Sequence, residues 1–242
     1  MKHENIDEFA SGSPLLKIDP RTKLVALIVF LIVAAFAVDR EATLCLGAVS
    51  IILAAVSKIP VKHIIRNLLF ALPFIIAVSL GALIVGDIII AIFVSIRIAA
   101  SVLTAVIFAS TTPVFEQIRA LQYFRVPTVI TSMLLFTYRF IFVFIDELER
   151  MKLARVSRSM NMQGGTLLSR RVFKTIGQTL GMLFIRVNER AKRVFFSLRA
   201  RGYTGKAVTR RRLAFGIADI SYAIFMSISI FIIMSIQLGV IL

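Results

Sequence analysis

Few residues in this 242-residue sequence are of a kind that does bond-making chemistry. One cysteine, Cys45, excludes an intramolecular disulfide, and two scattered histidines, His3 and His63, do not make a metal-ligand cluster with it. No glycine loop ending in Gly-Lys-Ser or Gly-Lys-Thr is present to cradle a phosphate, and no nucleophile is paired with a base. The expectation is a non-catalytic chain that binds no cofactor or metal of its own.

What stands out instead is arginine set between small residues. Arg201 lies between Ala200 and Gly202, three positions beyond Leu198, where it continues a seam that is otherwise apolar. Arg158 lies between Ser157 and Ser159, with Arg155 one helical turn before it. A guanidinium presents a planar fork suited to carboxylates, and small neighbours let it enter a groove, so each end reads as a docking finger for an acidic partner. The plainer reading is a well-capped basic helix, with Gly202 in the left-handed position that ends it and Arg201 beside the carbonyl end of the dipole. Two similar fingers on adjacent helices suit a partner with two equivalent sites, such as a symmetric dimer.

The elements that must carry these arginines are helices. Val172, Ile176, Leu180, Leu183, Val187, Ala191, Val194 and Leu198 recur at steps of three and four, the seam of a long helix packed on another helix. Arg186, Arg190, Lys192, Arg193 and Arg199 flank that seam. A preceding helix, from about Pro127 to Met160, starts apolar and turns charged at Asp146 and Glu147.

The rest of the chain is built for lipid. The sequence is 58% hydrophobic with a mean hydropathy of +0.89, and it still carries a net charge of +16, which must collect outside the hydrocarbon. Apolar runs span 24–38, 42–57, 67–86, 88–115 (interrupted by Arg97), 126–145 (interrupted by Arg139) and 220–242. Between Asp146 and Arg212 there are 17 Lys and Arg against 4 acidic residues, a stretch that the positive-inside bias places in the cytoplasm. The connector at Arg119 and Arg125 is also basic, so the fifth run is expected to pack at the cytoplasmic face without crossing. The fold expected is an all-α polytopic membrane protein with about five transmembrane helices, N-terminus inside and C-terminus outside, plus a cytoplasmic module of long helices. The expected divisions are 1–112 for the first four membrane helices, 113–212 for the cytoplasmic module and 213–242 for the last membrane helix.

Arg97 within a span is read either as functional or as snorkelling toward the outer connector. Pro73 is read as a tolerated kink, and Gly81 and Gly86 as packing positions. A self-sufficient permease would want polar or acidic residues within its spans, and the first three runs contain no charge. A membrane enzyme acting on lipid would want an Asp-rich or His-rich interfacial site. A nucleic-acid binder would want an aromatic stacking platform among its basic residues, and none is arranged so.

Ala200-Arg201-Gly202, the related Ser157-Arg158-Ser159, the lead-in Ser13-Pro14-Leu15 with Ile18-Asp19-Pro20-Arg21-Thr22-Lys23, and Thr111-Thr112-Pro113 together resemble the transmembrane T component of energy-coupling factor (ECF) transporters. The resemblance covers nearly the whole chain. The segment from Asp7 to Ser13 is closest to the cobalt and nickel branch, that of CbiQ-like proteins. The resemblance implies a prokaryotic inner-membrane subunit that links ATP hydrolysis by two ABC-type ATPases to reorientation of a substrate-binding S component, with cobalt or nickel as cargo. A vitamin-transport T component and a self-sufficient permease are the alternatives. It further implies that ATP and magnesium sit on the partner ATPases, that the partners are those ATPases, the S component and membrane lipid, and that Arg158 and Arg201 make the ATPase contacts. Arg139 matches an arginine common in the family's first coupling helix, where an anchoring salt bridge or a direct part in transport is implied. The Ser-Arg-Ser end departs from the alanine-arginine-glycine pattern, which leaves Arg155 and Arg158 both open as the first finger.

Overall fold

The computed structural model describes residues 15, 18–84, 88–158, 170–205 and 216–238. Among them the protein is helical throughout: α1 Pro20–Phe36, α2 Arg40–Ser57, α3 Val61–Ile84, α4 Ile88–Thr111, α5 Val114–Tyr123, α6 Thr128–Ser157, α7 Arg170–Ala200 and α8 Ile217–Gln237. Prolines set several starts. Pro20 occupies the first helical position of α1, where its missing N–H costs nothing, and the Asp19 side chain accepts from the Arg21 N–H at 2.9 Å. Pro113 ends the long apolar run after Thr112 and begins the short helix α5.

Five of these helices, α2, α3, α4, α6 and α8, are long and apolar enough to cross a membrane. The number agrees with the sequence expectation, and the membership differs. The expected first span corresponds to α1, which at 17 residues falls just short because Pro20 fixes its start and it has ended by Ala37. The run expected not to cross lies in α6, which qualifies because its first half is apolar with Arg139 as its lone charge.

Two compact units result. The first comprises residues 1–124 and 209–242, with α1 to α5 and α8; the second comprises 125–208, with α6 and α7. The first compact unit runs through Phe124, past the helix break at Pro113, and α5 packs on α1 within it. In the first unit α1 packs on α4, α5 and α8, and α2 on α4 and α8, around the fully buried Phe30, Leu46 and Ile233. Ala26, Ala34, Ala37 and Ala42 are buried at these interfaces, where small side chains let helix backbones approach in the absence of a lipid-phase hydrophobic drive. Helix α3 packs mainly on α4, buries no residue fully, and turns Phe70, Phe74 and Ile84 outward.

In the second unit α6 and α7 run antiparallel. The Ser132 hydroxyl donates to the Gly205 carbonyl at 3.3 Å, and Phe136 meets Tyr203 edge to face at 6.0 Å. Further along, Arg186 pairs with Glu147, and Arg155 donates to Thr179. Half-buried Leu183, Val187, Val194 and Leu198 keep the expected seam. Toward the start of α7 the half-buried stripe passes to Thr175 and Thr179, while Ile176 and Leu180 are exposed. Val172 lies among the residues whose side chains are not described.

Candidate functional site

Helix α7 ends as its sequence predicts. Gly202 adopts φ +78°, open to glycine without a Cβ penalty. The Tyr203 N–H donates to the Leu198 carbonyl at 3.0 Å and the Gly202 N–H to the Arg199 carbonyl at 3.0 Å, the pair of bonds that closes a Schellman motif. Tyr203 then folds back toward Leu198 and Phe136, bordering a cavity of about 400 Å³ in the second unit. The result is a rigid helix end with Ala200, Arg201 and Gly202 all exposed at its tip.

Helix α6 ends with its arginine in the matching position. Arg158 follows the last helical residue just as Arg201 does, with its N–H donating to the Arg155 carbonyl at 3.2 Å. Arg158 is exposed. Ser157 is exposed too and turns its hydroxyl back to the Leu153 carbonyl at 3.0 Å. Ser159 lies outside the described residues. Arg155 differs: it is half-buried and committed to Thr179 of α7. Of the two arginines left open by the sequence, one braces the helix pair and the other is presented outward.

The antiparallel pairing sets the spacing between the fingers. Tyr203, beside Arg201, sits level with Phe136 on α6, and the helix from Phe136 to Arg158 is about 30 Å long at about 1.5 Å per residue. The two arginines thus stand at opposite ends of one helix pair, too far apart to share a single groove.

The two other arginines have separate settings. Arg97 is half-buried in the first unit and donates from Nη1 to the Ala37 carbonyl at 2.9 Å, just past the end of α1. That bond satisfies a carbonyl a helix end would otherwise leave open, and it places positive charge at the negative pole of α1. Arg139 is exposed and forms no ion pair among the described residues, so the anchoring salt bridge does not appear there. No group of three or more His, Cys, Asp or Glu able to hold a metal ion occurs among the described residues.

One polar cluster was given no role by the sequence reading. Asp19, Lys23, Thr111, Thr112 and Asp219 are all 5% exposed or less. Lys23 Nζ donates to the Thr111 carbonyl at 3.3 Å and to the Thr112 hydroxyl at 3.4 Å. Asp219 accepts from the Asp19 N–H and, at 2.6 Å, from the Gly216 N–H. The available signal was Asp219 itself, the one acidic residue after Glu189, placed at the start of the last apolar run.

Residues 11–212 match the family described as cobalt transport protein, CbiQ. The chain belongs to the cobalt transport protein family. It is a multi-pass membrane protein of that transport family, as its long apolar helices require. This CbiQ-family chain is 25% identical over 237 residues to an uncharacterised protein of Methanocaldococcus jannaschii, covering 85% of this chain and 83% of the relative. It is 27% identical over 229 residues to the energy-coupling factor transporter transmembrane protein EcfT of Staphylococcus aureus, covering 84% and 85%. Over a shorter stretch of 98 residues it is 32% identical to the cobalt transport protein CbiQ of Rhodobacter capsulatus, covering 40% and 38%.

Proposed function

We propose that this chain is the energy-coupling membrane subunit of an ECF-type importer, docked to two ABC-type ATPases through Arg158 and Arg201. The observation that carries this reading is the pair of exposed, helix-terminal arginines about 30 Å apart on one antiparallel helix pair, a spacing that suits two separate grooves of a two-lobed partner. Arg155, held against Thr179, acts as a brace that keeps the α6 end in place for Arg158. The ATPases bind ATP and magnesium, this chain hydrolyses nothing, and movement of α6 and α7 reorients an S component that selects the cargo. The relatedness to EcfT supports the partner set, and the family and the CbiQ relative favour cobalt or nickel as cargo over a vitamin. The N-terminus and the charged stretch from Asp146 to Arg212 lie in the cytoplasm, as its concentration of basic residues favours.

The reading is tested by purifying the tagged chain from membranes in mild detergent and by following uptake of labelled Co²⁺ in cells. Two ATPases should co-purify, and Arg201→Ala should lose them where Lys192→Ala, an exposed cation on the same helix, keeps them. A chain that takes up Co²⁺ when purified and reconstituted alone would make it a self-sufficient permease.

A further inference from the structure

The second unit joins the first by two connections, one after α5 and one before α8. Both connections are fastened, inside the first unit, to the opening residues of α1. Lys23 holds the Thr111-Thr112 turn from which α5 starts, and the Arg21 guanidinium lies 3.8 Å from the ring centre of Tyr123, where α5 ends. On the other side, the Asp19 N–H is held by Asp219 in the first turn of α8, and Asp219 also holds Gly216, the residue that caps that helix. Burial works against the Lys23 charge and the carboxylates of Glu116, Asp219 and Asp19 work for it, so residues at the starts of α1, α5 and α8 share one electrostatic centre.

We infer that Asp19, Arg21 and Lys23 are positioning residues that form a clamp, carrying displacement of either connection of the second unit into α1. The inference rests on the energy-coupling reading above. Its physical basis is the cost of partial opening. Withdrawing α8 would take the Asp219 carboxylate away from the buried Asp19 N–H, and displacing the Thr111-Thr112 turn between α4 and α5 would leave the buried Lys23 ammonium without its acceptors, so these segments are held to the start of α1 more cheaply than they are separated from it. Packed elements tied in this way move as a body, and such a body has the means to convert motion at a coupling module into motion of a membrane helix.

Amide hydrogen exchange on the assembled complex in lipid nanodiscs, with and without ATP and vanadate, tests the clamp without requiring the cargo. In the wild type, nucleotide should alter exchange both in peptides of 125–158 and in the peptide spanning 18–23, the latter by several-fold or more. In Asp219→Ala and Lys23→Met the response in 125–158 should persist while that in 18–23 falls below about two-fold, and Lys23→Arg, which keeps the donor and the charge, should retain it. Thr112→Val removes only one acceptor of Lys23 and serves if the stronger variants do not fold; it should give an intermediate response. An undiminished 18–23 response in these variants, or none in the wild type while 125–158 responds, overturns the clamp alone. Absence of any nucleotide response in 125–158 of the wild-type complex overturns the energy-coupling reading as well.

Discussion

The two units bury different kinds of residue. In the first, charged and polar side chains are deeply enclosed: Asp19, Lys23, Thr111, Thr112 and Asp219 sit beneath helix starts that bind one another. In the second, among the described residues, only Thr131 and Ser132 of α6 are buried, α7 buries nothing fully, and Phe173, Phe184 and Phe196 are exposed on it. A unit whose helix starts are tied by buried hydrogen bonds is held from within. A unit that leaves aromatic rings and arginines outward is shaped for contact, and its polar ends are free to be energetic anchors of an interface.

Substitutions sharpen that contrast if the same change, loss of a charge, has different consequences in the two units. The largest effect is expected for the double variant Arg158→Ala with Arg201→Ala. Truncating a charge that becomes buried and paired at an interface costs about 2 to 5 kcal/mol, and two tethered contacts reinforce each other, so ATPase retention on pull-down should fall more than about ten-fold. Its melting temperature as an isolated chain should stay near that of the wild type, since both arginines are exposed. Asp219→Ala should show the reverse, a clear loss of thermal stability of about 1 to 3 kcal/mol, chiefly from the buried Asp19 N–H left without an acceptor. Smaller again is Arg97→Met, which opens the Ala37 carbonyl at the end of α1 and should cost about 1 kcal/mol in a detergent melt with ATPase retention unchanged. Arg139→Ala should be the mildest, within about 0.5 kcal/mol, as an exposed side chain with no ion pair among the described residues. A destabilising Arg158→Ala with normal ATPase binding would break the comparison, because it would make that arginine a brace and not a finger.

The helices and the arginine tips were legible because each depends on local pattern. The three-and-four spacing of Leu183, Val187, Val194 and Leu198 requires a packed helix, and Gly202 after a basic last turn requires an end there. Local pattern also explains the matched placement of Arg158, since both arginines directly follow the last helical residue. The choice between Arg155 and Arg158 was not legible, because it rests on Thr179, a contact on another helix. The same holds for Arg97, whose partner is the carbonyl of Ala37 at the end of α1. The buried cluster was hidden for a deeper reason: Asp19 and Asp219 are 200 positions apart in sequence, and a single charge at the edge of an apolar run has the same appearance whether it is solvated or enclosed. Pro113 marks a helix break, whereas the compact units divide after Phe124, since a break between helices is not a break between packed units.

The central claim is that the two arginines occupy separate sites on a pair of ATPases, and crosslinking tests it most directly. A photoreactive amino acid placed at Ser157 and another at Ala200, both exposed, leaves Arg158 and Arg201 in position. After irradiation of the assembled transporter, each single variant should give an adduct with one ATPase subunit, and the variant carrying both should give one chain joined to two. If the doubly substituted chain yields only single-ATPase adducts, or if neither position links to an ATPase while the complex remains intact, the two-finger account is contradicted.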